Sequence, residues 1–125
     1  MARTTLVLAA TLPLGCAPSI LGTDPDTGIS VLVLRGPISP VSGEGEENTA
    51  PVADALVRVR EVDGSGTSRT RTGVDGRARL LLVPGRYRVD VVECPGALAL
   101  PGPDTVTVAA DRIEPLTLEC DTGIR

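Results

Sequence analysis

Apolar and polar residues alternate with period two through most of this chain beyond residue 28, and no segment keeps a helical period. Turn-forming Gly, Pro and Asp residues interrupt the alternation, as at Val74-Asp75-Gly76 and Pro84-Gly85. The segments between these turns are the predicted strands: 29–35, 55–62, 67–72, 77–83, 86–93, 105–109 and 113–120. They predict an all-β protein, with a seven-stranded β-sandwich over residues 29–120.

A secretory signal is predicted at the amino terminus. Arg3 precedes an apolar run that ends at Leu14-Gly15-Cys16 and is well short of the ~20 apolar residues that a membrane span requires. A small residue directly before a cysteine resembles the lipobox of bacterial lipoproteins, in which signal peptidase II cuts before the cysteine and the sulfur carries a diacylglycerol. We therefore predict a lipoprotein signal peptide over residues 1–15 and lipidation of Cys16.

Two further residues bear on this prediction. Pro13 stands where the lipobox usually has Leu. Cleavage by signal peptidase I after Ala17 is the alternative, although it would leave the disfavoured Pro18 directly after the cut. Ala17 also resembles the residues that allow lipoproteins to reach the outer membrane, because the acidic residue used for inner-membrane retention is absent. In a host with two membranes, we expect an outer-membrane protein that faces the periplasm or the exterior.

The three cysteines leave an even pair once Cys16 is assigned to the lipid. Disulfides persist in exported proteins, so Cys94 and Cys120 are predicted to form one. Such a bridge would close a loop of about 25 residues and contribute on the order of 3 kcal/mol in the chain-entropy model. Two buried, unbridged thiols are the alternative, because spacing alone does not set the Cα separation that a disulfide needs.

The chain contains no His, Lys, Trp or Phe, and Tyr87 is its single aromatic residue. Without His there is no Ser-His or Cys-His nucleophile pair and no imidazole metal ligand, and without Lys there is no Schiff base. These absences predict a protein that is not an enzyme and uses no cofactor. The net charge of -4 argues against a nucleic-acid partner, since phosphate binding draws on an excess of basic residues.

Residues 16–28 are rich in turn formers and are predicted to be a flexible tether behind the lipid. Within them, Asp24-Pro25-Asp26-Thr27-Gly28 opens like a calcium loop but lacks the later oxygen ligands. Asx-turns in a polar segment, and no metal site, are therefore predicted here.

A second polar segment, residues 39–50, carries Glu44, Glu46 and Glu47 among Ser and Gly. It cannot bury apolar area and is predicted to be a mobile, solvated acidic loop. Residues 121–125 are predicted to be a carboxy-terminal tail beyond the last strand.

Three segments resemble, in order and spacing, the carboxypeptidase regulatory-like domain, a transthyretin-like sandwich with a pattern close to P-x-x-G/D-A-x-V, T-D-x-x-G-x and P-G-x-Y-x-V-x-V. The matching segments are Pro51-Val52-Ala53-Asp54-Ala55-Leu56-Val57-Arg58-Val59, Thr72-Gly73-Val74-Asp75-Gly76-Arg77 and Pro84-Gly85-Arg86-Tyr87-Arg88-Val89-Asp90-Val91. The resemblance covers residues 29 to about 118 and implies the transthyretin-like fold. In it, Gly76 would adopt a positive φ in a tight turn, and Tyr87, Val89 and Val91 would enter the core.

This chain lacks the chemistry of several related groups. Hydroxyisourate hydrolases look transthyretin-like but depend on His residues and a carboxy-terminal Tyr-Arg-Gly-Ser, whereas this chain ends Asp121-Thr122-Gly123-Ile124-Arg125. Collagen-adhesin B-type domains form Lys-to-Asn isopeptide bonds, which a chain without Lys cannot form. Sugar-binding sandwiches usually present exposed aromatic platforms, so carbohydrate binding here would be polar and weak.

Arginine recurs at positions i and i+2 in four predicted strands, as Arg58/Arg60, Arg69/Arg71, Arg77/Arg79 and Arg86/Arg88. Period two places each pair on the outer face of its strand. If the topology of the resembled family holds, three of these strands share one sheet and form a candidate patch for an anionic partner, such as lipid headgroups, lipopolysaccharide or an acidic protein surface. Its residues are Arg58, Arg60, Arg69, Arg71, Arg86 and Arg88. Neutralisation by Asp90 and Glu61, or simple solvation of the pairs, are the alternatives.

These inferences combine into one predicted function. The chain is predicted to be a non-enzymatic, lipid-anchored cell-envelope protein that acts as a structural or protein-binding module. A secreted or surface domain that binds a polar glycan or an anionic polymer through the exposed arginines is the alternative.

Overall fold

The computed structural model describes residues 20–38 and 48–124. This part of the chain folds into eight strands: β1 (Gly28–Gly36), β2 (Ala50–Pro51), β3 (Leu56–Glu61), β4 (Thr67–Arg71), β5 (Arg77–Leu81), β6 (Gly85–Glu93), β7 (Asp104–Val108) and β8 (Ile113–Asp121). Across these residues no helix is long and apolar enough to cross a membrane. The predicted signal peptide, Cys16 and the three glutamates of the predicted acidic loop lie outside the described residues.

Two four-stranded sheets form a sandwich, which confirms the predicted fold class. In the first sheet, β1 is central. It pairs in parallel with β8 along its whole length, and in antiparallel fashion with β5 and then with the short β2. We call this the terminal sheet, because it joins the first and last strands. The second sheet has the antiparallel order β4-β3-β6-β7 and is called the arginine sheet.

Each predicted strand overlaps an observed one, and the alternation explains the core. Every second residue of the long strands points between the sheets and is buried. The fully buried set includes Ile29, Val31 and Val33 from β1, Val57 and Val59 from β3, and Tyr87 and Val89 from β6. The prediction that Tyr87, Val89 and Val91 face the core is therefore confirmed.

β2 is the one strand that the alternation does not predict. Its two residues, Ala50 and Pro51, pair with Arg35 and Leu34 of β1. A two-residue strand is too short for a period to be visible, and Pro, which cannot donate to the ladder, argues against a central strand and is confined to sheet edges, where β2 lies.

A disulfide links Cys94 to Cys120, as predicted, with a Cα–Cα distance of 6.7 Å. Cys94 directly follows β6 of the arginine sheet, and Cys120 lies in β8 of the terminal sheet, where it is fully buried. The bond thus ties the two sheets together at one end of the sandwich.

The prediction of a flexible tether up to residue 28 is wrong for residues 20–28. Ile20 is buried in the core, and its carbonyl accepts a hydrogen bond from the Val83 N–H. Gly22 donates to the carbonyl of Leu81, so this segment extends along the end of β5. The composition of this segment shows its turn formers but not the packing of Ile20. Burial of one Ile side chain, together with a backbone hydrogen bond, holds the segment against the domain.

Two positions of the resembled family pattern have a clear structural reason. Gly76 has a φ of 76° in the turn before β5, where a Cβ would lie 2.7 Å from the Val33 carbonyl oxygen. Asp54 has a φ of 61°, a left-handed conformation that Gly and Asp tolerate better than most residues. The hydroxyl of buried Thr72 fixes this second turn, since it donates to the Val52 carbonyl and accepts from the Ala55 N–H.

Strand directions define two ends of the sandwich. At the entry end the described chain begins at Ile20, β3 ends, and β6 begins. At the far end β1, β6 and β8 finish and the disulfide closes. This polarity decides which surfaces lie near the amino-terminal segment.

Candidate functional site

The outer surface of the arginine sheet carries all three arginine pairs that were predicted to share a sheet. Strand register places Arg58 of β3 opposite Arg69 of β4, and Arg60 opposite Arg88 of β6. Since residues two apart in a strand share a face, the whole set lies on one surface. We call this surface the arginine face; it comprises Arg58, Arg60, Arg69, Arg71, Arg86 and Arg88.

Carboxylates pair with two of the arginines nearer the far end, Arg58 and Arg71. Arg58 forms a two-bond pair with Asp90, with Nη2–Oδ2 and Nε–Oδ1 distances of 2.6 and 3.2 Å. The hydrogen bonds that Arg58 donates to Asp90, and then the charge of Asp90, raise the pKa of Arg58 above its already high ordinary value. Arg71 pairs with Glu93 at 3.2 Å and also donates to the Asp54 carbonyl.

The remaining four guanidinium groups form no ion pair within the described residues. These are Arg60, Arg69, Arg86 and Arg88. Glu61, which was considered as a partner, lies on the opposite face of β3, and its carboxylate accepts a hydrogen bond from the Gly66 N–H at 3.1 Å. Two arginines of the arginine face are therefore paired with carboxylates, in line with the alternative of neutralisation. The other four keep an unpaired positive charge within the described residues.

A recess of about 340 Å³ opens beside two of these unpaired arginines, Arg60 and Arg88. Its wall is completed by the end of β3 and by the glycine-containing turn to β4, residues 61, 62 and 64–67. The Nε of Arg60 is buried and has no hydrogen-bond acceptor in the described part of the chain. A buried donor without an acceptor is uncommon in folded proteins, and the residue that carries this one lines the recess.

The fourth arginine pair provides an internal contrast. Arg77 and Arg79 lie on β5 of the terminal sheet, opposite Leu32 and Ser30 of β1. They are exposed, and no described carboxylate pairs with them. The same sequence pattern thus gives isolated charges on one sheet and a continuous face on the other.

The segment that opens like a calcium loop forms a closed turn. Asp24 accepts hydrogen bonds from the Asp26 N–H at 2.9 Å and from the Thr27 hydroxyl at 2.7 Å, which is the predicted Asx-turn. These bonds lower the pKa of Asp24, the backbone bond contributing most. Both carboxylate oxygens of Asp24 are therefore already used within the turn. Among the described residues, no group of three or more His, Cys, Asp or Glu side chains is placed to hold a metal ion.

Four of the six exposed large apolar side chains of the described residues lie in loops at the far end, and the other two, Leu21 and Val83, lie at the entry end. Val74, Leu98 and Leu100 are 89%, 78% and 49% exposed, and Ile38 is 43% exposed. Leu98 and Ile38 are attached to the same segment of chain, because Leu98 bonds to Asp121 and the residue after Asp121 bonds to Gly36 near Ile38. Sequence patterns missed this cluster because its members come from loops that are distant in the chain.

No family model matches this chain, and no curated protein matches it in sequence. Solved structures do match its fold. The minor pilin GBS52 of the Gram-positive pathogen Streptococcus agalactiae superposes with a TM-score of 0.60 at 18% identity, over 77% of this chain and 44% of the pilin chain. The fimbrial protein FimP of Actinomyces oris superposes with a TM-score of 0.54 at 13% identity, over 82% of this chain and 32% of the fimbrial chain.

The chain thus spans less than half the length of the two solved structures that it resembles. At these identities the likeness concerns the fold: a β-sandwich domain of the type found in surface pilins.

Proposed function

We propose that this protein is a non-enzymatic, lipid-anchored module of the cell envelope with a structural or protein-binding role. The observation that carries the proposal is the disulfide-tied sandwich, whose fold recurs in a minor pilin and a fimbrial protein. A bond that joins two sheets suits a domain that must stay folded outside the cell. Membership of the carboxypeptidase regulatory-like family is part of this proposal and rests on the three matching segments.

Lipid anchoring at Cys16 is the first component to test. Metabolic labelling with a fatty-acid analogue should tag the wild type and leave Cys16→Ala unlabelled, and Cys94→Ala serves as the matched control that must still be tagged. Equal labelling of wild type and Cys16→Ala would remove the lipoprotein proposal. In a host with two membranes, fractionation should then place the labelled protein in the outer membrane.

Protein binding is supported by the apolar cluster at the far end. Exposed apolar side chains gathered in one place are typical of interaction sites on otherwise polar domains. A photo-crosslinking residue in place of Leu98 should capture a partner in cells, whereas the same residue in place of exposed Ala109, at the entry end, should not. Equal capture from both positions would count against a specific interface.

Binding of an anionic polymer or polar glycan is the second candidate function. It is favoured by the four arginines of the arginine face that have no described carboxylate partner. Replacing Arg69 and Arg86 with Gln should weaken binding to a polyphosphate column and lower the salt concentration needed for elution. Arg77→Gln/Arg79→Gln removes the same charge from the other sheet and should elute like the wild type. Identical elution of all three proteins would eliminate this candidate.

A further inference from the structure

The recess beside Arg60 and Arg88 lies at the entry end of the sandwich. A short series of contacts connects it to Ile20, the first described residue. The Ile20 carbonyl accepts from the Val83 N–H, the Val83 carbonyl accepts from the Tyr87 hydroxyl, and Tyr87 pairs with Glu61, the neighbour of Arg60. Only residues 17–19 separate Cys16 from Ile20, and three extended residues reach about 10 Å. A lipid on Cys16 would therefore hold this end of the domain against the membrane.

The charges of the recess favour an anion. Arg60 and Arg88 are directly opposite each other on neighbouring strands, so their guanidinium groups crowd two positive charges into one place. Glu61 is the one carboxylate residue among those that line the recess; it accepts a hydrogen bond from the Gly66 N–H and forms no ion pair with Arg60 or Arg88. The residues that line the recess thus carry two arginine charges against one carboxylate charge, which leaves an excess of positive charge.

The donors of the recess also match one shape of ligand. The Arg60 Nε lacks an acceptor, and guanidinium groups present several N–H donors in a planar fork. Two such forks can bind several oxygens of one anion, and a phosphate group offers more acceptor oxygens than a carboxylate does.

We propose that Arg60 and Arg88 form a specific site for a phosphate group, and that in the cell this group belongs to a membrane phospholipid. The site deepens the anion-binding function proposed above and rests on it, and its assignment to a lipid headgroup rests on the proposed anchoring at Cys16. It differs from general attraction to the arginine face because it predicts one saturable site.

The test is a titration of the protein, purified as exported from a bacterial host, with inorganic phosphate at constant ionic strength. NMR should detect a saturable shift of the Arg60 Nε–H signal in the wild type, and the backbone amide signals of Gly66 and Thr67, which line the recess, report binding in the wild type and in every variant. Arg60→Gln and Arg88→Gln should each weaken binding about tenfold or more, whereas Arg79→Gln, with the same charge change on the other sheet, should leave it unchanged. Arg60→Lys should also bind weakly, because Lys lacks the fork. Backbone spectra check that each variant is folded. If Arg60→Gln does not fold, Arg88→Gln still tests the site.

A second arm identifies the source of the phosphate. Vesicles of phosphatidylcholine with phosphatidylglycerol should bind the wild type, and both Arg88→Gln and free phosphate should reduce this binding. If free phosphate saturates the site but neither Arg88→Gln nor added phosphate affects vesicle binding, the headgroup assignment is wrong. The site then binds soluble phosphate. If phosphate shifts are unsaturable, or equal in wild type and Arg60→Gln, the site does not exist. Polyphosphate binding that is still lost in Arg69→Gln/Arg86→Gln would then leave the broader anion-binding function standing.

Discussion

Both sheets carry arginines at positions i and i+2 of their strands, but these arginines form a continuous surface on only one of the two sheets. On the arginine sheet, the register brings Arg60 opposite Arg88, so that the pairs merge into one surface. On the terminal sheet, Arg77 and Arg79 stand opposite a leucine and a serine and remain isolated. Composition is therefore a poor guide to local charge. The protein is acidic overall, yet one sheet presents a basic surface, because strand pairing decides which charges become neighbours.

The arginine face itself is also divided. Toward the far end, Asp90 and Glu93 bind two of its arginines. Toward the entry end, Arg60, Arg86 and Arg88 have no described ion-pair partner. The positive charge is thus concentrated beside the segment that leads to Cys16, and the exposed apolar cluster lies at the other end. If Cys16 is lipidated, the charged end faces the membrane and the end that carries Leu98 faces outward.

The largest expected effect comes from removing the disulfide that links the two sheets. Replacing both Cys94 and Cys120 with Ala should lower the free energy of unfolding by about 3 kcal/mol, because the unfolded chain is no longer constrained by a cross-link across 26 residues. Urea unfolding measures this loss. Reduction of the wild type should reproduce most of it, while Cys16→Ala should not. Equal stability of the oxidised and reduced proteins would contradict a structural role for the bond.

A smaller loss is expected at the opposite end, where Tyr87 of the arginine sheet bonds to the Val83 carbonyl just beyond β5. Tyr87→Phe keeps the buried ring and removes this hydrogen bond, so the free energy of unfolding should fall by about 1 kcal/mol. Val89→Ala, which leaves the bond intact, is a control for general loosening of the core and should show the packing loss of a buried Val instead. No change in Tyr87→Phe would mean that the bond does not join the sheets.

The pH dependence of the same residue sharpens this prediction. Burial and the charge of Glu61, in that order, raise the pKa of the Tyr87 phenol above its ordinary value of 10.0. The folded state therefore holds the proton more tightly than the unfolded state, and the associated stability is complete below about pH 10 and is lost as the pH rises further. Phenolate absorbance should follow this titration. The stability of Tyr87→Phe should lack this alkaline component.

The division of the arginine face can be altered through Asp90. Asp90→Asn removes the carboxylate that holds Arg58, so the basic surface should extend toward the far end. Binding to polyphosphate should tighten, and the slope of log affinity against log salt should steepen by about one, as expected for one added phosphate contact. Glu119→Gln makes the same charge change on β8 of the terminal sheet and should leave the slope unchanged. Equal slopes in both variants would show that net charge, and not the face, governs binding.

Sequence patterns predicted most of this architecture for a physical reason. Alternation reports burial on one side of a strand, and seven of the eight observed strands carry it. The family resemblance added the sharing of one sheet by the strands of Arg58, Arg69 and Arg86, which local patterns do not contain. The Cys94–Cys120 pairing followed from cysteine parity and the predicted export.

The features that were missed depend on contacts between distant segments. Ile20 looked like part of a tether because its burial requires Val83 and Leu82, which lie about sixty residues further along the chain. The pairing of Arg71 with Glu93 depends on the register shift between β3 and β6 that places Glu93 opposite Leu56. The recess arises where the β3–β4 turn meets the beginning of β6, and neither segment has a distinctive motif by itself.

The smallest expected effect compares single arginines on the two sheets. Arg88→Gln removes a charge that stands opposite Arg60, so in a buffer without phosphate it should raise the free energy of unfolding by about 0.3 kcal/mol, whereas Arg79→Gln, opposite Ser30, should not change it. In phosphate buffer the ordering should reverse. Bound phosphate stabilises only the folded wild type, and Arg88→Gln loses that contribution while Arg79→Gln keeps it. Thermal unfolding of the three proteins in both buffers measures the reversal. An unchanged ordering would mean that cross-strand repulsion is real but that no phosphate occupies the recess.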